Sequence, residues 1–359
     1  MATREVFSST ASNPLGRPRG LWSALHLDPI LLLLLLTLVS GGLFVLYSGA
    51  DRNLDVVKAQ GVRFGVAFIV MLVFAQLDPS VFRRWAPWLY CLGLIGLLAV
   101  LLVGVGAKGA QRWLQIPGLP RFQPSEFMKL IVPMMVAWYL SSRYLPPSFK
   151  VVCITLLVIF VPVVLVVKQP DLGTSLLIAS SGIFVLMLSG LSSRLIAGFT
   201  VLIAAFAPVL WLFIMHDYQR QRVLTFLNPE SDPLGSGWNI IQSKTAIGSG
   251  GLWGKDWLNG TQSQLDFLPE SHTDFIIAVC AEEFGFMGVL SLLAVYLLIV
   301  FRGLYIAVKA QDSYSRLLAG SLVLTFFIYI FVNIGMVSGI LPVVGVPLPL
   351  VSYGGTSAV

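Results

Sequence analysis

Apolar residues along this chain are gathered into long runs that short polar segments separate. A helix needs about 20 apolar residues to cross the hydrocarbon of a bilayer, so runs of this length are typical of membrane-spanning helices. The first run contains six consecutive leucines, Leu31–Leu36. The pattern predicts an all-α, polytopic transmembrane helical bundle with spans near residues 29–48, 62–77, 88–106, 125–141, 151–167, 172–190, 194–215, 275–301 and 317–337.

Two segments depart from this alternation. Residues 216–273 follow the seventh predicted helix and are mostly polar, but they carry tryptophans and apolar patches, which predict a long, ordered extracytoplasmic loop. Residues 338–359 are rich in Pro and Gly and too few for a whole further span, so we expect about ten helices, the last truncated. We expect residues 1–28 to form a cytoplasmic tail and residues 29–359 to form a single membrane domain that includes the loop.

Composition narrows the class of protein. Of 359 residues, 57% are hydrophobic and 11% are charged, whereas about a quarter are charged in a soluble domain. That leaves no room for a large soluble catalytic domain. The net charge of +6 reflects Lys and Arg in the loops, which set membrane orientation and do not indicate nucleic acid binding. Three cysteines and three histidines without ligand spacing predict no metal site.

Two polar clusters precede the fourth and sixth predicted helices. Glu126 and Lys129 lie three residues apart and share a helix face. They form either an internal ion pair or, with Arg112, a polar wall that meets an anion. Asp171 follows Pro170 at the start of the next polar break, where it is either a helix N-cap or part of a cavity.

A third cluster precedes the eighth predicted helix, where Asp274 lies close to Glu270 and His272 in sequence. One reading is that Thr273 or Asp274 caps the helix. The other is that Asp274 is partly desolvated at the membrane boundary, where its raised pKa would suit a general base. Helical spacing places Glu282 about 80° and Glu283 about 180° around the helix from Asp274, so at most one of the two shares its cavity.

A fourth cluster places Arg220 and Arg222 just outside the seventh predicted helix. They either snorkel to the membrane interface or bind an anion. The residues alone therefore indicate an enzyme that acts on an anionic, lipid-linked substrate or a transporter of such a substrate, and they do not choose between the two.

Several motifs together resemble those of the SEDS family (shape, elongation, division, sporulation). The amino-acid sequence of the long loop resembles the RodA branch of that family more than its FtsW branch. The motifs are GAQRWL, FQPSEFMKL, KQPDLGTS, GSGWNIIQSK, GTQSQLDFLPESHTDF and PLPLVSYGG. The resemblance covers the chain from about residue 20 onwards. It implies a ten-helix inner-membrane peptidoglycan glycosyltransferase that polymerises lipid II on the periplasmic face during cell elongation. It also implies a class B penicillin-binding protein transpeptidase and other elongation-complex membrane proteins as partners.

The resemblance carries residue roles as well. The essential aspartate of the family's HTDF motif falls on Asp274, its Glu–Lys pair on Glu126 and Lys129, its QPDLG aspartate on Asp171 and the arginine of its RW motif on Arg112. It implies that Asp274 activates the sugar hydroxyl that extends the glycan strand.

The leaving group would be undecaprenyl pyrophosphate, which needs positive charge nearby. We expect Lys129, Arg112, Arg220 and Arg222 to supply that charge. A divalent cation, Mg²⁺ or Mn²⁺, is an open alternative source, and no other cofactor is predicted. Glu270, His272 and Glu282 are further candidates for substrate contact.

Two other functions remain open at this point. A lipid II flippase would use Glu126, Lys129 and Asp171 as its pathway, and a scaffold would only recruit the transpeptidase.

Overall fold

The structure is a computed structural model that describes residues 25–107, 110–115, 122–193, 217–231, 236–265, 267 and 271–355, with isolated positions between 195 and 212. Two short strands, β1 (Val105–Ala107) and β2 (Ala110–Trp113), form an antiparallel hairpin after the third helix. The helices in these ranges are α1 (Pro29–Gly49), α2 (Leu54–Ala75), α3 (Pro79–Val103), α4 (Pro124–Ser141), α5 (Phe149–Val167), α6 (Leu172–Leu188), α7 (Asp217–Leu227), α8 (Ser236–Ser249), α9 (Thr261–Gln264), α10 (Ile276–Lys309) and α11 (Ser313–Val337).

The predicted membrane bundle is confirmed. Six of these helices, namely α1, α2, α3, α5, α10 and α11, are long and apolar enough to cross a membrane, and α6 is a shorter apolar helix. Helix α4 coincides with a further predicted run. The predicted span at 194–215 lies for the most part outside the described residues.

Several helix boundaries differ from the prediction, including the start of α3 at Pro79, nine residues before the predicted start at 88. Two of the differences have a clear physical reason. Helix α2 begins eight residues before the predicted start, because Asn53 caps it by accepting a hydrogen bond from the backbone nitrogen of Asp55. Its first turns are therefore polar and extend the helix beyond the apolar run. Helix α10 has 34 residues and contains a break at Gly285, whose φ of 64° is not helical. The long apolar run thus contains two helical pieces rather than one.

The bundle has two packed cores. One is built from α1, α10, α11 and the segment after α11, with Phe275 and Tyr296 among its buried side chains. The other joins α3, α4, α5 and α6. Helix α2 is peripheral, since Gln60 and Phe64 are its buried residues among the part of the chain that the structure describes. The two cores meet where α11 packs against α4 and α6.

Residues 338–355 form turns and extended backbone, so the predicted start of a tenth helix does not fall within them. They fold back into the bundle, where Val346, Leu348 and Val351 are buried. Ile340 and Leu341 donate backbone hydrogen bonds to the Gly335 carbonyl, and Tyr296 donates its hydroxyl proton to the Pro349 carbonyl at 2.6 Å. This segment, called the lid segment below, therefore packs its backbone against α10 and α11.

The long segment before α10 is ordered in its described parts, as predicted, and contains α7, α8 and α9. Its residues after α8 pack directly on the break in α10. Phe286 and Met287, just past Gly285, donate backbone hydrogen bonds to the carbonyls of Gly251 at 2.9 Å and Leu252 at 3.1 Å. The loop thus satisfies backbone groups that the break leaves without helical partners.

The opposite end of the bundle is joined by an ion pair. Asp28, the N-cap of α1, accepts hydrogen bonds from Arg302 of α10, the shorter at 2.6 Å. The hydrogen bond from Arg302 lowers the pKa of Asp28 below its ordinary value. This pair connects the first spanning helix to α10 at the end remote from Asp274, which directly precedes α10.

Candidate active site

Asp171 begins α6 and makes both kinds of contact that its sequence position allows. One carboxylate oxygen accepts a hydrogen bond from the backbone nitrogen of Thr174 at 3.2 Å, which confirms the N-cap. The other oxygen accepts from Gln123 Nε2 at 3.1 Å and lies 3.7 Å from a guanidinium nitrogen of Arg112. Asp171 is therefore both the N-cap of α6 and a member of the polar cluster, so the two interpretations of the sequence do not exclude each other.

Glu126 and Lys129 pair one turn into α4. Lys129 Nζ lies 2.6 Å from Glu126 Oε2, and the two side chains are 12% and 24% exposed. Lys129 Nζ also lies 5.1 Å from the centre of the Tyr329 ring on α11, a distance typical of a cation–π contact. The internal ion pair is thus confirmed, and its lysine faces across to the second core.

These residues line one cavity of about 190 Å³ at the junction of the two cores. The hairpin supplies Arg112, α4 and α6 supply the carboxylates and the lysine, and α11 supplies Tyr329. The remaining wall is Val344, Gly345, Val346 and Pro347, from the lid segment. The charged side chains among the lining residues are two basic and two acidic, so each cation faces a carboxylate.

Asp274 borders this cavity across Gly345. A Cβ atom placed on Gly345 would lie 3.4 Å from Asp274 Oδ2, and Gly345 is itself a lining residue. Gly345 has a φ of +74°, a backbone conformation that residues other than glycine rarely adopt. Gly345 therefore lies next to both: it lines the cavity, and Asp274, which is not itself a lining residue, is beside the position that a side chain at 345 would take.

The capping explanation of Asp274 is wrong. Helix α10 begins at Ile276 and its N-cap is Phe275, whose side chain makes no cap hydrogen bond. Asp274 lies instead in the turn 271–275 and its main-chain carbonyl accepts a hydrogen bond from Asn333 Nδ2 at 2.9 Å.

His272 lies in the same turn but contacts the lid. Its carbonyl accepts a hydrogen bond from the backbone nitrogen of Tyr353 at 2.8 Å, and its ring meets the Tyr353 ring edge-on with centres 5.8 Å apart. The guanidinium carbon of Arg63 of α2 lies 4.4 Å from the centre of the Tyr353 ring. The structure thus places His272 beside Tyr353 and Arg63 and not among the residues that line the cavity.

Glu282 lies away from the cavity as well. Its side chain is fully buried and accepts hydrogen bonds from Lys255 Nζ at 2.9 Å and from the backbone nitrogens of Gln262 and Ser263. The carboxylate therefore holds the loop against α10. It is not on the cavity wall, where a substrate contact would need it, because the helix turns it towards the loop.

The arginines after the seventh predicted span are only partly described. Arg220 donates hydrogen bonds to the carbonyls of Trp211 and Leu212, both at 3.0 Å, and it is not one of the described residues that line the cavity. The side chain of Arg222 and the whole of Glu270 lie outside the described residues.

Sequence reasoning missed three residues that shape this end of the bundle: Tyr329, Asn333 and Arg63. Each stands alone in an apolar run, and a single polar residue within a spanning helix is costly in a bilayer. That signal was available for Asn333 and Arg63. For Tyr329 there was none, since tyrosine is ordinary in such a run.

The arrangement suits chemistry on a substrate that carries negative charge. Arg112 and Lys129 supply cationic donors, and Arg112 Nε has no hydrogen-bond partner among the described residues. Within that part of the chain no three His, Cys, Asp or Glu side chains come close enough to hold a metal ion. Glu126 and Asp171 would therefore need phosphate oxygens from a substrate to complete a Mg²⁺ or Mn²⁺ site.

Comparison with known proteins gives one consistent family. The model of cell cycle proteins that covers FtsW, RodA and SpoVE matches residues 25–359. The chain is 56% identical over 338 residues to peptidoglycan glycosyltransferase MrdB of Escherichia coli strain K12, covering 94% of this chain and 91% of that protein. It is 37% identical to the probable peptidoglycan glycosyltransferase FtsW of Trichlorobacter lovleyi, covering 92% of this chain and 89% of the other.

Solved structures agree with these relatives. A chain from the structure described as "Structural coordination of polymerization and crosslinking by a peptidoglycan synthase complex" superposes with a TM-score of 0.79 at 30% identity, covering 92% of this chain and 93% of that one. The rod shape determining protein RodA of Thermus thermophilus superposes with a TM-score of 0.67 at 28% identity, covering 92% and 91%.

Proposed function

This chain belongs to the FtsW/RodA/SpoVE family of cell cycle proteins and is a multi-pass membrane peptidoglycan glycosyltransferase that acts in cell elongation, and we propose that Asp274 is its general base. The observation that carries the proposal is the position of the Asp274 carboxylate. It borders, across Gly345, the cavity that holds Arg112 and Lys129. A proton acceptor, Asp274, is thus close to the same cavity that two cationic hydrogen-bond donors, Arg112 and Lys129, line.

The substrate that fits this arrangement is lipid II, whose sugar carries a pyrophosphate on a lipid tail. Asp274 takes the proton from the 4-hydroxyl of the N-acetylglucosamine of an incoming lipid II. The oxygen attacks C1 of the N-acetylmuramic acid at the lipid end of the growing glycan strand, with inversion. A β-1,4 bond forms, the bond from C1 to the pyrophosphate oxygen breaks, and undecaprenyl pyrophosphate leaves with the electron pair.

Arg112 and Lys129 stabilise the charge that develops on the leaving group. In the structure the positive charge of each is balanced by a carboxylate, that of Arg112 by Asp171 and that of Lys129 by Glu126. The pyrophosphate competes for these cations, and its oxygens also supply the acceptor that Arg112 Nε lacks among the described residues. The carboxylate partners keep both cations oriented before substrate binds. Substrate-contact roles for Arg220, Arg222, Glu270, His272 and Glu282 remain predictions.

The setting follows from the same relatives. The cavity lies at the end of the bundle opposite the Asp28–Arg302 pair, and we place that end at the periplasmic face of the inner membrane, with the N-terminus cytoplasmic. A solved relative is a chain of a peptidoglycan synthase complex that coordinates polymerization and crosslinking. This supports a class B penicillin-binding protein transpeptidase as the partner of this chain.

The test is polymerisation of lipid II by the purified protein with its transpeptidase partner, followed on gels of the glycan strands. Asp274→Asn preserves side-chain size and removes the basic oxygen, so the rate is expected to fall about 10²- to 10⁴-fold. Asp55→Asn is the matched control, because Asp55 is an aspartate at the same end of the bundle with an 89% exposed side chain. It is expected to retain the full rate.

Full polymerisation by Asp274→Asn would remove the assigned base. Movement of lipid II across liposomes by wild-type protein that makes no strands would favour the flippase function instead. If Asp274→Asn and Asp55→Asn are equally active with the transpeptidase partner, and both lose that activity without it, the result would favour the scaffold function.

A further inference from the structure

Asn333 is buried near the end of α11, one turn before Val337. Its side chain is 0% exposed. Its Nδ2 donates one hydrogen bond to the main-chain carbonyl of Asp274 at 2.9 Å and another to that of Val346 at 2.7 Å. A single amide group therefore connects the turn that carries Asp274 to the lid segment that lines the cavity.

The orientation of this amide follows from its surroundings. Both neighbours are carbonyl oxygens, which only accept hydrogen bonds, so the NH₂ group must face them. Asn333 Oδ1 then has no hydrogen-bond partner among the described residues, although it is buried. A buried acceptor without a partner is unfavourable and rare in native proteins, so its presence calls for a compensating role.

Other side chains do not reproduce the contact. Serine and threonine have one donor, an ionised aspartate has none, and glutamine places its two donors one methylene further from the helix. Asparagine supplies two donors on one planar group at the length that this packing leaves. The residue type is thus determined by the two carbonyls that it joins.

The two carbonyls lie on either side of the boundary between base and cavity. Val346 and Gly345 line the cavity, and Asp274 Oδ2 lies 3.4 Å from the Cβ position of Gly345. We propose that Asn333 is a positioning residue that sets how far the Asp274 carboxylate stands from the cavity. The proposal rests on Asp274 as the general base. Asn333 does not touch the substrate and acts through Asp274 and the lid.

A purely structural role is the alternative, in which Asn333 only stabilises the packing of α11 against the turn. The two roles predict different kinetics. A structural role lowers the melting temperature and leaves kcat of the folded fraction unchanged. A positioning role lowers kcat, because a shift of about 1 Å in a catalytic group is enough to reduce a rate about 100-fold.

The chain offers a matched control in Ser243 of α8. Ser243 is also 0% exposed, and its Oγ donates to the Val337 carbonyl at the end of the same helix, at 2.8 Å. It contacts neither the Asp274 turn nor residues 344–347 in the hydrogen bonds of the described chain. Ser243→Ala therefore removes a buried hydrogen bond to α11 without touching the proposed connection.

The experiment measures lipid II polymerisation with the transpeptidase partner for Asn333→Ser, Asn333→Gln, Ser243→Ala and Asp274→Asn, and for the double variant of Asn333→Ser with Asp274→Asn. We expect Asn333→Ser to lower kcat about 10- to 100-fold and to change KM for lipid II less than about threefold. Asn333→Gln, which keeps both donors, is expected to recover part of that loss. Ser243→Ala is expected to keep kcat within about twofold of the wild-type value, even if its melting temperature falls as far as that of Asn333→Ser.

The double variant separates this proposal from the one on which it rests. If Asn333 acts through Asp274, the double variant is no slower than Asp274→Asn alone. Losses that multiply, an unchanged kcat in folded Asn333→Ser, or an equal loss in Ser243→Ala would overturn the positioning role while leaving Asp274 as the base. A fully active Asp274→Asn overturns the base, and with it any role of Asn333 through that base. If Asn333→Ser does not fold, the same criteria apply to Asn333→Gln.

Discussion

The two walls of the cavity are held in different ways. The wall formed by α4, α6 and the hairpin consists of charged side chains that pair with one another: Arg112 with Asp171, and Lys129 with Glu126. The opposite wall is backbone from the lid, and Asp274 beside it is positioned by a neutral amide that binds main-chain carbonyls.

The difference separates two tasks. Paired charges keep the cations oriented while leaving them able to exchange one anionic partner for another. A backbone wall has no such freedom, so its position is set by packing and by residue size. We therefore expect the backbone wall to tolerate substitution least. The charged wall should tolerate changes that keep its charges balanced.

Among substitutions of residues that line the two walls, the largest effect is expected on the backbone wall, from Gly345→Ala. The added Cβ lies 3.4 Å from Asp274 Oδ2 on a backbone with a φ of +74°. The distance is an ordinary contact, but the strained backbone should shift the lid segment relative to Asp274, and we expect kcat for polymerisation to fall about 10- to 100-fold.

Gly190→Ala is the control for strain alone. Gly190 has a φ of +88°, and its nearest neighbour to an added Cβ is Pro146 at 3.9 Å. It should lose thermal stability like Gly345→Ala and keep its activity. Equal activity losses in the two variants would show that backbone strain, and not the distance to Asp274, is what matters.

A smaller effect is expected on the charged wall, from Lys129→Met. This variant removes a cation that we propose stabilises the leaving group, and it leaves Glu126 without the ion-pair partner that the structure shows. We expect the rate of polymerisation to fall about tenfold and the melting temperature to fall as well, since an uncompensated buried charge is destabilising.

Adding Glu126→Gln to Lys129→Met removes the unpaired charge. The double variant should recover thermal stability and should not recover activity, because the cation is still missing. Recovery of activity with stability would mean that the pair serves folding alone and that Lys129 is not part of the pyrophosphate site.

The smallest effect is expected from Arg220→Gln, outside both walls. Its guanidinium donates to the carbonyls of Trp211 and Leu212, so we expect kcat/KM for lipid II to change less than about threefold. A loss as large as that of Lys129→Met would bring Arg220 into the pyrophosphate site, as the sequence predicts.

Local features of this protein could be predicted from its sequence. The apolar runs predict the spanning helices, and the spacing of Glu126 and Lys129 predicts their ion pair, because both depend on neighbours within a few residues. The N-cap at Asp171 is local too. These are interactions that one helix turn or one helix end determines.

The backbone wall could not be predicted in the same way. Asn333 meets Asp274 across 59 residues of sequence and meets Val346 across 13, and Gly345 matters only because Asp274 lies beside it. The capping alternative for Thr273 or Asp274 is wrong for a related reason, since the N-cap is Phe275. A short polar residue before a helix predicts a cap, and here the turn 271–275 is held by long-range contacts instead.

Helix α1 also measures how deep the reaction takes place. It has 21 residues between the Asp28–Arg302 pair and Gly49, or about 31 Å at 1.5 Å per residue, close to the roughly 30 Å of bilayer hydrocarbon. Ser271 donates its hydroxyl proton to the Gly49 carbonyl at 2.9 Å, and Asp274 follows three residues later. The proposed base therefore lies at the level where acyl chains give way to headgroups. A sugar carried on a lipid pyrophosphate meets it there without leaving the membrane surface.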